Sequence, residues 1–341
     1  MDYKDRPVFI VASERSGTNL LRRRLTESQS VYLGPSPAHF LKHLYYQKPF
    51  YGDLSDDDNF LCFVRQALDL CTVHFSPWEI DWSAEQILRD FKNNDRDAIP
   101  LMHFLMNKYA SEKGYQGYIC KDNFLYEFAL DIERQIPDAR FVYLYRDPRD
   151  FVLSQIKRPG AIKSVARYAR LWSYEQTKAI QACSRLASNG KCRWLSYEGL
   201  ISQEKESVQG LLDFIGVEMS RNKNFKETSA IEVHDWKNIN KPTDTANSRK
   251  YKVELSRRQI MIVETIARLQ MGYLGYKTDY GSSSRISSLY AHIDYYAALF
   301  GKVFSKVLSK NVEAAAASEA AIRRKRSAIL SRVSVNYRSD S

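Results

Sequence analysis

Apolar residues in this 341-residue chain fall into two alternating patterns. Short continuous runs of strand length occur at Pro7-Val8-Phe9-Ile10-Val11-Ala12, at 117–121, at Arg140-Phe141-Val142-Tyr143-Leu144-Tyr145 and at 192–196. Helical spacing separates them. It begins at Leu20-Leu21, resumes from Ala38 after the turn Gly34-Pro35-Ser36-Pro37, and covers Phe60–Leu70, Ser83–Phe91 with Ser83 as cap, and Pro100–Ala110. Strands alternating with helices predict βαβ units, a mainly parallel central sheet and an α/β fold. Residues 49–60, with Asp56-Asp57-Asp58, read as an acidic loop leading into a helical insertion that ends near 113. Residues 222–250 are polar, lack periodicity and read as a flexible loop. After Tyr280 the composition changes: Gly281-Ser282-Ser283-Ser284 is linker-like, Leu289–Leu308 has helical apolar spacing, and alanines lead to Arg323-Arg324-Lys325-Arg326. The expected organisation is a body over 1–280, with its insertion at about 49–113, and a basic helical extension over 281–341.

Two segments carry chemistry. The first strand stops at Ser13-Glu14-Arg15-Ser16-Gly17-Thr18-Asn19, and a helical pattern follows at once. A strand–loop–helix of this kind turns backbone N–H groups and a helix N-terminus toward an anion; Gly17 permits close backbone approach, and Thr18 adds a hydroxyl. The loop departs from G-x-x-x-x-G-K-[ST]: its first glycine is missing, and Arg15 precedes Gly17 where a lysine would follow. An ordinary βα turn is the alternative. The second segment is Arg146-Asp147-Pro148-Arg149-Asp150, with Ser154 four residues on. Asp147 before Pro148 marks a helix start, so Arg146 belongs at a strand's carboxyl end, where open α/β sheets bind ligands. Arginine matches phosphate oxygens bidentately. The alternative for Arg146 is a surface salt bridge with Asp150.

Arg15-Ser16-Gly17-Thr18 resembles the 5′-phosphosulfate loop of sulfotransferases, and Arg146 through Ser154 resembles their 3′-phosphate motif. Tyr118-Ile119-Cys120-Lys121-Asp122, Trp194-Leu195-Ser196-Tyr197-Glu198-Gly199-Leu200, Asp213-Phe214-Ile215-Gly216 and Ser248-Arg249-Lys250-Tyr251 follow in the family's order, over roughly residues 7–280. Gly199 replaces the aspartate of the family's Tyr-Glu-Asp-Leu segment. The resemblance implies a three-layer fold like that of P-loop NTPases. It also implies transfer of a sulfuryl group from 3′-phosphoadenosine 5′-phosphosulfate (PAPS) to an acceptor hydroxyl, of a carbohydrate or glycolipid type, without a metal. Arg15 is then the cation for the leaving group. Ser16, Gly17, Thr18 and Asn19 cradle the 5′-phosphate, and Arg146 and Ser154 hold the 3′-phosphate. Tyr197 packs on adenine or is a core tyrosine; Arg249 and Lys250 close over the 3′-phosphate or form a solvated loop; Lys121 contacts the sulfuryl group or is exposed at a strand end. His39 is the candidate general base, because imidazole titrates near neutrality; a packing histidine is the alternative. His43 lies one turn on, and Glu14 is expected to orient Arg15.

Charge changes this picture little. The net charge is +11, and residues 282–341 hold ten basic and four acidic side chains. Such a balance attracts polyanions, and an anionic nucleotide donor satisfies it; nothing in the chain asks for nucleic acid. The extension is expected to pack on the body or on a second copy, with a membrane-surface helix as the sharper option. Five cysteines without a C-x-x-C pair suit a reducing compartment. With no signal-peptide pattern and no spanning stretch, the expected location is the cytoplasm. A small-molecule kinase and a non-catalytic nucleotide-binding scaffold are the competing readings. Acceptor specificity is expected in 35–113 and 222–250.

Overall fold

A computed structural model describes residues 3–91, 95–158, 161–222, 247–280, 294 and 320–331. In chain order the elements are β1 (Val8–Val11), α1 (Thr18–Glu27), β2 (Tyr32–Leu33), α2 (Leu41–Gln47), α3 (Asp57–Thr72), α4 (Ala84–Asp90), α5 (Ala98–Glu112), β3 (Gly117–Cys120), α6 (Leu125–Gln135), β4 (Arg140–Tyr145), α7 (Pro148–Ile156), α8 (Val165–Ser188), β5 (Cys192–Ser196), α9 (Tyr197–Ser202), α10 (Glu204–Ile215), α11 (Tyr251–Glu254), α12 (Arg257–Ile266) and α13 (Arg268–Tyr273). Residues 320–331 form a further helix. No described helix is long and apolar enough to cross a membrane.

The five strands form one parallel sheet in the order β2-β3-β1-β4-β5. Alternation along the strands supplies two cores. Phe9, Val11, Tyr118, Cys120, Phe141 and Tyr143 face the large helical side built from α2 through α8, α12 and α13. Val8, Ile10, Ile119, Val142 and Leu144 face α1, α9 and α10. Helices on both faces bury β1 and β3 fully and β4 through its middle, which is why these read as unbroken apolar runs, whereas the edge strand β5 is only partly buried and exposes Arg193. The architecture is the expected three-layer α/β fold with a parallel sheet and a helical C-terminal part.

The order reverses at β1. From β1 the chain runs to the far edge at β2, returns through β3 to pair with β1, and then crosses to β4 on β1's other side. The topological switch point therefore lies beyond the carboxyl ends of β1, β3 and β4, the place where such sheets bind ligands. The residues leaving those ends are Ser13–Thr18, Lys121–Asn123 and Arg146.

Two local expectations need correction. The acidic stretch at 49–60 is not a loop throughout: Lys48–Tyr51 is a 3-10 turn, and Asp56 caps α3 through the N–H groups of Asp58 and Asn59. The aspartates are a helix start, placed to suit the positive end of the helix dipole. The two-residue β2 escaped the pattern because it is too short to show a period. Leu289–Leu308 lies outside the described residues apart from Asp294, as does most of 222–250.

Candidate active site

The loop after β1 is shaped by backbone conformation. Arg15 (φ 65°) and Gly17 (φ 89°) are left-handed, and Gly17 is the N-cap of α1, which has no side-chain cap. By contrast α3, α4, α5, α7 and α8 each begin with a carboxylate or hydroxyl bonded to their first N–H groups. The first turn of α1 is left for another acceptor. Beside it, Ser16 Oγ and Arg146 Nε are buried with no hydrogen-bond partner among the described residues. Native structures rarely leave such groups unmatched; Ser16 Oγ suits an anion at the loop, and Arg146 Nε suits one at the end of β4.

Gly17 also permits a close approach. A Cβ there would sit 2.4 Å from Tyr197 Cδ2. Gly17→Ala should therefore cost about 2–4 kcal/mol, combining the left-handed penalty with overpacking. Urea denaturation checks the loss.

Arg15 joins the two sequence motifs. Its Nε donates to Ser154 Oγ at 3.0 Å across 139 residues of chain, and its carbonyl accepts from Arg146 Nη1 at 2.9 Å. Arg146 Nη2 donates to the Asn247 carbonyl at 3.0 Å. The Arg146 guanidinium lies 4.3 Å from the centre of the Tyr197 ring, and Asn247 Nδ2 donates to the Tyr197 hydroxyl at 2.7 Å. Arg146 is 8 % exposed, so it is not a surface partner of Asp150. Asp150 instead accepts the N–H groups of Arg249 (2.6 Å) and Tyr251 (3.0 Å), tying the 247–251 segment to α7 beside Arg146. Arg249, itself left-handed, and Lys250 are exposed on that segment.

The rest of the arginine-rich motif is scaffold. Asp147 caps α7 and pairs with Arg149, whose other arm reaches Glu264 of α12 at 2.7 Å. Trp172 Nε1 donates to the Arg146 carbonyl at 3.1 Å, and Glu198 accepts the Asp147 N–H at 3.0 Å. Tyr197 and Glu198 thus clamp the strand end from β5.

The third strand end brings a histidine–carboxylate pair. Asp122, directly after Lys121 at the end of β3, lies 2.5 Å from His39 Nδ1. Its Oδ1 also accepts the Asn123 N–H at 2.8 Å. The carboxylate selects the tautomer with hydrogen on Nδ1, which leaves Nε2 as the acceptor. Burial pushes the His39 pKa below the ordinary imidazole value, against the upward pull of Asp122. Burial pushes the Asp122 carboxyl up, but His39 beside it and the Asn123 N–H hold it below the usual range. His39 is therefore neutral and oriented near pH 7. Asp122 is the partner that sequence reading missed. Nothing in Lys121-Asp122 signals contact with a residue 83 positions earlier; the topology creates it.

Lys121 is not an exposed strand-end lysine. It is 8 % exposed, bonds Asn123 Oδ1 at 3.1 Å, and burial lowers its pKa. Asn123 Nδ2 in turn donates to Glu14 at 2.8 Å, and Glu14 pairs with Arg158 at 3.1 Å. Glu14 thus ties the loop after β1 to the β3 end.

His74 packs edge-on to His39 with ring centres 5.3 Å apart, and burial drives its pKa down to about 3. A lowered histidine pKa means that the unfolded chain binds the extra proton. The stabilisation is complete above about pH 6.5 and is lost as pH falls toward the folded value. His74→Phe should remove about 2 kcal/mol of the stability lost between pH 6.5 and 5, measured as urea midpoints of both proteins.

A model of the sulfotransferase family matches residues 7–221. Among solved structures, the chain is similar to the sulfotransferase domain from the curacin biosynthetic pathway, at 14% identity over 79% of this chain and 97% of that one, with a TM-score of 0.53. It is also similar to the sulfotransferase domain of the Synechococcus PCC 7002 olefin synthase, at 16% identity over 80% and 95%, with a TM-score of 0.55. No curated protein matches the sequence. With its family match over most of the chain, this protein belongs to the sulfotransferase family.

Proposed function

We propose that residues 1–280 transfer a sulfuryl group from PAPS to an acceptor hydroxyl, with His39 as general base. The observation carrying this reading is the convergence on Arg15: its guanidinium meets Ser154 and its carbonyl meets Arg146. That brings the cation of the 5′-phosphate loop against both members of the 3′-phosphate motif. When bound, the donor supplies an SO₃ group on a phosphate leaving group. Two phosphates on one ribose need two cationic cradles a short distance apart, and a nucleoside diphosphate does not.

The chain's own residues divide the work. Ser16, Gly17, Thr18 and Asn19, with the uncapped start of α1, hold the 5′-phosphate. Arg15 compensates the charge that develops on the leaving oxygen. Arg146 and Ser154 fix the 3′-phosphate, so binding energy remote from sulfur is spent on orientation. Tyr197 walls the loop beside the adenine, and Arg249 and Lys250 close over the 3′-phosphate. Lys121 adds positive charge toward the sulfuryl oxygens. His39 Nε2 takes the acceptor's proton, and Asp122 stabilises the resulting imidazolium.

The acceptor proposed is an alcohol of a carbohydrate or glycolipid, on the strength of the arginine-type loop. Five free thiols fit action in the cytoplasm. The test is transfer of radiolabelled sulfate from PAPS across a panel of sugars, glycolipids and phenols, with Mg²⁺-ATP as a parallel donor. Label in sugars or glycolipids supports the reading. Label only in phenols corrects the acceptor class, and phosphate transfer from ATP in place of sulfate transfer overturns the activity.

A further inference from the structure

The basic run Arg323-Arg324-Lys325-Arg326 is divided by the helix that carries it. Arg323, Arg324 and Lys325 are exposed, whereas Arg326 is half-buried on the same face as Ile322, Ile329 and Leu330. Ile329 is 4 % exposed and joins the large core. Its carbonyl accepts from Gln66 of α3 at 3.3 Å, and the Leu330 carbonyl accepts from Gln47 of α2 at 3.2 Å. This helix, residues 320–331, lies well beyond the segment matched by the family model, which ends at residue 221.

Arg326 makes four bonds to main-chain carbonyls. Nη1 donates to Leu70 and Val73, both at 2.8 Å. Nη2 donates to Ala38 at 2.8 Å and to His39 at 3.2 Å. Leu70 and Val73 close α3, where carbonyls lack intrahelical partners and a cation is favoured. His39 has a left-handed backbone (φ 53°), which a non-glycine residue keeps only when its surroundings enforce it. The rigid fork of one guanidinium bridges these two places.

We propose that Arg326 is the positioning residue for His39: its fork fastens the 38–39 backbone to the end of α3, so the C-terminal helix completes the active site. The inference rests on His39 being the base. It gives the extension a task within the monomer that neither membrane binding nor assembly requires. The groups facing His39 are Asp122 and Lys121 from the end of β3, His74 after α3, His43 from α2, and Arg326. Asp122 favours the imidazolium, while the two cations and burial oppose it.

The test uses the full chain with Arg326→Met and Arg326→Lys. The His39 ring is titrated by NMR, exchange of the peptide over 35–42 is followed by mass spectrometry, and both variants are titrated with 3′,5′-adenosine bisphosphate. None of these readouts needs an acceptor. In Arg326→Met the His39 midpoint should rise, because a cation and part of the burial are removed. Exchange over 35–42 should quicken at least about tenfold, the loss of a little over 1 kcal/mol of local protection, while bisphosphate affinity stays within about twofold. Arg326→Lys keeps the charge without the fork: the midpoint should return toward wild type while exchange stays fast. Wild-type midpoint and exchange in Arg326→Met overturn the inference. If Arg326→Met fails to fold, wild-type exchange in Arg326→Lys overturns it alone. Wild-type protein that does not bind the bisphosphate contradicts the donor reading and leaves the Arg326 result standing.

Discussion

His39→Ala lowers kcat for sulfuryl transfer by about 10²–10⁴-fold, the usual share of a positioned general base, and leaves 3′,5′-adenosine bisphosphate affinity unchanged. The separation follows from placement. His39 is held by Asp122 at the end of β3, whereas the residues proposed to hold the phosphates lie on the loop after β1, at the end of β4 and in α7. Asp122→Asn should reduce kcat in the same direction by favouring the wrong tautomer. The pH profile carries a sign. Burial lowers the His39 pKa, so the base is free at neutral pH, and kcat should decline only as pH falls below the ordinary imidazole value. Rate–pH profiles of wild type and Asp122→Asn check this: removing the carboxylate that favours the imidazolium moves the acid limb further down. A His39→Ala enzyme with undiminished kcat transfers the base to another group.

Arg146→Ala weakens 3′,5′-adenosine bisphosphate by about 10²-fold, since a hydrogen bond to a charged group contributes roughly 1.5–3 kcal/mol and a guanidinium offers more than one. The affinity for 5′-ADP, which lacks the 3′-phosphate, changes far less. Some loss for ADP is still expected, because Arg146 also holds the Arg15 carbonyl and the Asn247 carbonyl. Arg146→Lys recovers only part of the difference, as an ammonium keeps the charge and loses the fork. Isothermal titration with both nucleotides separates the two contributions. Equal losses for the two nucleotides would make Arg146 a scaffold residue.

The signals legible in the sequence were those carried by neighbours in the chain. The unbroken apolar runs around Val8 and Phe141 marked buried parallel strands, and Asp147-Pro148 marked the start of α7. Arg15, Gly17, Arg146 and Ser154 stood out because loop and cap chemistry is local. What escaped was long-range. Asp122 gains meaning only when the 38–39 turn is laid against the end of β3, and Asp150 only when the 247–251 segment folds over α7. For Lys121 the sequence leaves two readings open, contact with the sulfuryl group or exposure at a strand end; the turn through Asn123 and Glu14 buries it and removes the second. The basic run at the C-terminus looked uniform, yet helical geometry exposes three of its members and inserts the fourth. Spacing reports a face of a helix but not what that face meets.

The central claim is that the site beyond β1, β3 and β4 reads two phosphates on one nucleotide. Titrating the wild-type chain with 3′,5′-adenosine bisphosphate and 5′-ADP, side by side at matched ionic strength, tests it most directly. The account predicts that the 3′,5′-bisphosphate binds at least about tenfold more tightly, a difference of about 1.4 kcal/mol or more. Equal affinity, or tighter binding of 5′-ADP, contradicts it.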